Sequence, residues 1–272
     1  MAATFFVVPQ WQGSGSSRAL RLLDGAEAIR GDLPASATVV VEVPLGAGND
    51  EGTAVQRLSS IIAVRDSLAA ALVDAPGLPL IIGGDCGVEL AAVTRAVGGG
   101  TTAVVWLDAH PDLNTAESSP SGAFHGMVLR TLLGHGVEAL VPAVPLSFGH
   151  LILCGTRAFD DAELDFATEA GIRVIGPEEL SAESIAKALR ATGATSLYLH
   201  VDLDVLDPAF VDGIGFPVPF GVSLPQLLEV IVAAKETLPL VGAGVTEFAP
   251  ASLEVAGDDL GSILRIIGAL AG

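Results

Sequence analysis

Short runs of β-branched and aliphatic residues alternate along this chain with longer Ala/Leu-rich stretches whose apolar positions recur at helical spacing. The runs at 4–8, 38–43, 78–82, 102–107, 151–153, 173–175, 196–201 and 240–247 are predicted strands. Stretches 17–29, 54–73, 88–97, 161–170, 182–191, 224–237 and 258–270 are predicted helices. The strands are apolar almost throughout, without the inward/outward alternation of a sheet wetted on one side. That pattern belongs to a parallel sheet covered by helices on both faces. The predicted fold is therefore α/β, a three-layer α/β/α arrangement around a mostly parallel sheet of about eight strands. No internal repeat, low-complexity segment or linker divides the sequence, so residues 1–272 are read as one domain.

Two connections, 108–126 and 202–221, are long and irregular. Structureless connections of that length in a compact domain are usually functional. Both follow predicted strands, which places them at the carboxyl edge of the sheet, where open α/β folds bind their ligands.

Composition narrows the picture. Half the residues are hydrophobic, enough for a large core. Acidic residues number 32 against 13 basic ones, a net charge of −19. That balance argues against nucleic-acid or anionic-membrane binding, for which neither a basic run nor a basic patch is available, and favours the attraction of cations. The N-terminal apolar run, residues 1–11, has no basic residue ahead of it and reads as a strand and not a signal peptide. Gly, Pro or charge interrupts every apolar stretch before it could span a bilayer. The two cysteines, Cys86 and Cys154, are too few for a disulfide framework, and a cytoplasmic setting is expected.

The candidate chemistry lies at two strand ends. Asp108, His110 and Asp112 follow one strand at alternate positions, a spacing that turns side chains to one side of an extended backbone. Asp202 and Asp204 repeat the device after another. So many anionic and imidazole groups share one spot only if a cation neutralises them. Carboxylates with imidazole suit Mn²⁺ or a similar divalent ion, and four carboxylates suffice to bridge two metals ~3.5–4 Å apart, the spacing of hydrolytic two-metal sites. Taken singly, the Asp-x-His-x-Asp segment could be loop capping, and Asp202, Asp204 and Asp207 before Pro208 could be turn formers.

Gly83-Gly84-Asp85-Cys86, Asp108-Ala109-His110-Pro111-Asp112, Phe124-His125-Gly126 and Asp202-Leu203-Asp204-Val205-Leu206-Asp207-Pro208 resemble, in order and spacing, the active-site motifs of the arginase (ureohydrolase) family. Val245-Thr246-Glu247 looks like its late glutamate motif. The resemblance implies a dinuclear manganese centre, two Mn²⁺ per subunit, that hydrolyses a guanidino C–N bond. One ion would take Cys86, Asp108, Asp112 and Asp202; the other would take His110, Asp108, Asp202 and Asp204. Glu247 would pair with the guanidinium, and His125 matches the proton shuttle, although a locally bonded helix-start histidine is the plainer alternative. Asn114, Ser119 and Ser121 fall on the loop that holds an amino-acid carboxylate. Asp160 and Glu163 match an acidic pair that receives the α-ammonium, and equally fit a helix N-terminus. The implied partner is a small guanidino amino acid.

Four residues depart from the family pattern. Cys86 stands where a metal-binding histidine is usual, Ala123 replaces an asparagine, His200 replaces a serine, and Phe216 occupies the place of a small polar residue. Cys86 could be a ligand, an inert buried thiol, or the mark of a catalytically dead homologue. As a ligand, its thiolate would add negative charge and weaken the centre as a Lewis acid. That suits a guanidine of lowered basicity, so Nω-hydroxy-L-arginine, giving L-ornithine and hydroxyurea, is the expected substrate. The short final helix and the lack of a long tail after Glu247 lead to the expectation of a monomer or weak oligomer.

Overall fold

A computed structural model describes residues 2–272. Its eight strands are β1 (Ala3–Val7), β2 (Thr38–Val40), β3 (Leu78–Ile82), β4 (Thr102–Leu107), β5 (Leu151–Cys154), β6 (Arg173–Ile175), β7 (Ser196–Asp202) and β8 (Leu240–Thr246). They form one sheet in the order β2-β1-β3-β8-β7-β4-β5-β6, every pairing parallel. The helices are α1 (Arg21–Gly31), α2 (Leu58–Val73), α3 (Glu89–Gly98), α4 (Val128–Leu132), α5 (Asp161–Glu169), α6 (Ala182–Thr192), α7 (Leu224–Thr237) and α8 (Leu253–Ala271). Side chains alternate across the buried strands and divide the core in two. Phe5, Val7, Val105 and Leu199 pack on one face with residues of α1, α6, α7 and α8. Phe6, Val104, Trp106 and Tyr198 pack on the other with residues of α2, α3, α4 and α5. This is the predicted three-layer fold.

Local sequence explains most element ends. Helix α6 starts at a Ser181/Ser184 capping box and stops at Gly193, whose φ of 70° few other residues adopt readily. Helix α7 follows Ser223, which caps Gln226 N, with a proline in its first turn. Three predictions need correction. Helix α2 begins only at Leu58, because Arg57 before it takes φ 57°. The final helix is not short: it starts at Leu253 and, at 19 residues, is the longest of those described. Helix α4 was not foreseen, for its five residues are too few to show a period.

The topology creates the site. From β4 the chain moves outward to β5 and β6, then returns to lay β7 and β8 on the other side of β4. The crevice beyond β4 and β7, at their carboxyl ends, lies where connections leave in opposite directions, the usual ligand position in open α/β sheets.

Candidate metal centre

Beyond β3 the chain turns through Gly83 and Gly84, both at φ 79°, a conformation costly for any residue with a Cβ. The turn delivers Asp85, whose buried carboxylate accepts bonds from Gln10 Nε2 (2.8 Å), Gly13 N (2.9 Å) and Gly87 N (2.9 Å). Asp85 caps the short turn that carries Cys86 and so sets where the thiol stands. Burial, reinforced by the nearby Glu247 charge, pushes the Asp85 carboxyl up to about 6. Cys86 Sγ lies 3.1 Å from Asp202 Oδ2, and burial followed by repulsion from Asp202 and Asp112 raises that thiol well above its ordinary range.

Residues after β4 and β7 complete the cluster. Asp108 Oδ1 accepts from His110 N at 2.6 Å, while Oδ2 accepts from the Trp106 indole at 3.0 Å. His110 Nδ1 meets Asp204 Oδ2 at 2.8 Å, and Asp204 Oδ1 accepts from Ala109 N. Burial opposes the imidazolium of His110, but hydrogen bonds and attraction from Asp108 and Asp204 prevail and push it up to about 11. The predicted extended alternation does not run through the motif: β4 ends at Leu107, and Asp112 takes φ 51°. Asp112 still faces the cavity, with Oδ2 buried and lacking any hydrogen-bond partner. Burial, then repulsion from neighbouring carboxylates, holds both Asp112 and Asp202 well above the usual carboxylate range.

Two donor groups converge within 4.8 Å: Cys86 with Asp108, His200 and Asp202, and Asp108 with His110 and Asp204. The donors are S, N and carboxylate O, one carboxylate oxygen is orphaned, and the crowded carboxylates repel one another. That arrangement fits divalent cations, with Asp108 common to both groups. Asp112 lies outside both, and His200, noted in the sequence only as a departure, lies inside one.

Beside the cluster is a cavity of about 400 Å³, lined by His110, Asp112, Asp202 and Asp204 together with His125, Phe216 and Glu247. Glu247, at φ 64°, accepts from Cys86 N at 3.3 Å and stands 3.5 Å from His125 Nδ1. Burial opposes charging of His125, but the Glu247 carboxylate overcomes this and raises its pKa above the ordinary value. The Phe216 ring lies 5.0 Å from that of His125 and 6.5 Å from that of His110. Asn114, Ser119, Ser121, Asp160 and Glu163 form the outer wall. Asn114 Nδ2 donates to Asp160 Oδ2 at 2.9 Å, and Asp160 with Glu163 forms the capping box of α5, the helix-N-terminus role suggested for that pair. Ala123, by contrast, is buried and does not reach the cavity lining.

One organiser escaped the sequence reading. The Arg157 guanidinium donates to the carbonyls of Gly155, Asp204, Val205, Leu206, Val218 and Pro219, pinning three segments together.

Comparison with known proteins agrees with this geometry. The sequence profile of the arginase family matches residues 29–259, and the chain belongs to that family. Arginase of Bacillus subtilis is 37% identical over 129 residues, 44% of each chain. The N(omega)-hydroxy-L-arginine amidinohydrolase of Streptomyces lavendulae is 31% identical over 189 residues, 67% of this chain and 65% of that protein. The chain thus spans about half the length of the first curated relatives it matches. In three dimensions, Entamoeba histolytica arginase in complex with L-ornithine superposes with a TM-score of 0.88 at 24% identity, covering 99% of this chain and 98% of that one, a likeness of fold. Among the described residues no helix is long and apolar enough to cross a membrane.

Proposed function

We propose that this chain is an amidinohydrolase that cleaves the guanidino C–N bond of Nω-hydroxy-L-arginine, giving L-ornithine and hydroxyurea. The observation that carries the substrate choice is the Cys86 thiol seated 3.1 Å from Asp202 within an otherwise intact set of carboxylate and imidazole donors. The 31% identity to the Streptomyces lavendulae enzyme named for that substrate supports it. The cysteine-bearing motif also resembles that of the hydroxyarginine hydrolase of D-cycloserine biosynthesis, and on that resemblance the proposed reaction would serve antibiotic biosynthesis.

Cys86, Asp108, His110, Asp112, Asp202 and Asp204 would hold two Mn²⁺. When bound, the ions supply positive charge and make water acidic enough to act as a nucleophile near neutral pH. Glu247, whose carboxylate lines the cavity, would receive the guanidinium end. The Phe216 ring, beside His125 and His110, adds an apolar wall there, which suits a less basic group. His125, held against Glu247, keeps a proton near the nitrogen that leaves when the carbon–nitrogen bond breaks, and that nitrogen becomes the side-chain amine of ornithine. Asn114, Ser119 and Ser121 offer hydrogen bonds to the substrate carboxylate, and Asp160 and Glu163 offer negative charge to its ammonium.

The deciding measurement is mass-detected hydrolysis of L-arginine, Nω-hydroxy-L-arginine and agmatine by the Mn²⁺-loaded protein. A kcat/KM at least ~100-fold higher for the hydroxylated substrate than for arginine is expected, about 2.7 kcal/mol of discrimination. Cys86→His should narrow that ratio. Steady turnover of arginine with none of its N-hydroxy derivative would make the chain an ordinary arginase, and turnover of none of the three would mark a non-catalytic metal-binding homologue.

A further inference from the structure

Beneath the carboxylates, toward the sheet, lies a buried polar cluster that the proposed chemistry leaves without a task. His200 on β7 is fully buried and pairs in register with Trp106 on β4. The two rings stack with centroids 3.5 Å apart and planes 22° from parallel, which fixes the direction of both imidazole nitrogens. Nε2 points into the donor cluster, 3.8 Å from Cys86 Sγ and 4.0 Å from Asp108 Oδ2. Nδ1 points away from it toward Glu89 Oε2 at 3.9 Å. Glu89, buried at the start of α3, accepts a 2.6 Å hydrogen bond from the Tyr198 hydroxyl. Gly244 on β8 provides the room, since a Cβ there would collide with the Glu89 carboxylate. His200 Nδ1 and Glu89 Oε1 both lack a hydrogen-bond partner. Buried polar atoms are seldom left unsatisfied without a reason.

We propose that His200 is a metal ligand in this chain: the imidazole missing from position 86 comes instead from β7, and Cys86, Asp108, His200 and Asp202 together hold one divalent ion. The inference rests on the metal-centre part of the function proposed above and not on the choice of substrate. Donors bound to one ion at ~2.0–2.3 Å stand roughly 3–4 Å from each other, and the Nε2 distances fall in that range. A ligating histidine almost always gives its other ring N–H to a carboxylate or carbonyl. Glu89 stands at the correct nitrogen, and a closure of about 1 Å brings it to hydrogen-bond distance. Tyr198, Glu89 and His200 then form a relay ending on the metal. The result is an asymmetric pair of positions, one with sulfur and nitrogen donors and the other, at Asp108, His110 and Asp204, dominated by oxygen. The first is the softer site and the better host for Co²⁺ or Zn²⁺.

The test uses metal alone, with no substrate. Full-length metal-free protein is titrated with Co²⁺ under anaerobic conditions, following the thiolate-to-cobalt absorption band and the bound-ion count after desalting. The wild-type chain is expected to bind two ions and to show the band. His200→Ala should weaken one of the two ions by about 100-fold or more and alter the band, while the other ion stays. Glu89→Gln should weaken the same ion by about 10-fold. A parallel measurement on the wild-type chain avoids any folding defect in the variants: in protein labelled with ¹⁵N-histidine, Zn²⁺ should shift the His200 Nε2 resonance to a ligated value. Two ions bound by His200→Ala with wild-type affinity and spectrum would overturn the proposal, as would a His200 ring nitrogen unmoved by saturating Zn²⁺. A chain that hydrolyses nothing yet shows the His200 shift refutes the function and leaves this ligand standing; a chain that binds no Co²⁺ refutes both.

Discussion

Glu247 shows how position and strain are joined at the scale of a single residue. Its φ of 64° is unfavourable for a side chain with a Cβ, and so is that of Asp112 at 51°. Both residues place carboxylates in the cavity, and such strain persists only where surrounding structure fixes it. For Glu247 the fixing bonds are its own amide to Gly84 O and its carboxylate to Cys86 N. Through this carboxylate His125 keeps its proton to higher pH than a free imidazole, so as a proton donor it should lose activity as pH rises through that elevated pKa. His125→Asn should lower kcat by about 100-fold or more with little change in KM, and its pH–rate profile should lack that alkaline limb. Steady-state kinetics on hydroxyarginine from pH 6 to 10 checks both parts. An unchanged profile would return His125 to a local structural role.

The elements that matter most are the connections after β4, β5 and β7, which carry almost all the cavity wall but little regular structure. Arg157 holds the connections after β5 and β7 together through six carbonyl oxygens contributed by three segments. Burial lowers its pKa somewhat, but a guanidinium stays charged at any working pH. Arg157→Met keeps an unbranched side chain and removes every donor, leaving these carbonyls unpaired. A stability loss of at least about 2 kcal/mol is expected, seen as a lower denaturation midpoint with an unchanged m-value. KM should rise at the same time, because Phe216 sits just before the Val218 and Pro219 carbonyls that Arg157 holds. A variant with wild-type midpoint and KM would show that the loops hold themselves.

For the whole molecule, the concentration of buried acids sets how stability depends on pH. Asp85, Asp108 and Glu163 are pushed up to about 6, and Asp112 and Asp202 are raised further, all chiefly by burial. A carboxyl with a folded pKa above its unfolded one binds more protons folded than unfolded, so its contribution to stability falls as pH rises through that interval. His110, raised to about 11, has the same sign above its unfolded value near 6.5, whereas Asp204, lowered by His110 despite burial, acts only below the ordinary carboxylate pKa. The metal-free protein should therefore melt at progressively lower temperature from about pH 4.5 to 8. Added Mn²⁺ should reverse the trend, raising Tm most at high pH, where its ligands are already deprotonated. Thermal scans with EDTA and with Mn²⁺ across that range test this; a metal-free Tm rising toward pH 8 would contradict the burial argument.

The sequence by itself determined the order of strands and helices, the parallel sheet and the carboxyl-edge position of Asp108, His110, Asp112, Asp202 and Asp204. These follow from short-range facts: apolar runs, caps such as Ser223 and Gly193, and acids placed directly after strands. Element boundaries slipped where one backbone angle, as at Arg57, decided the start. Only the tertiary structure decided which donors meet. Cys86 and His200 are 114 residues apart, and their approach depends on a sheet order that places β8 and β7 between β3 and β4. The register of Trp106 opposite His200, and a glycine on β8 beside Glu89, belong to strand pairing and packing, which no local pattern encodes.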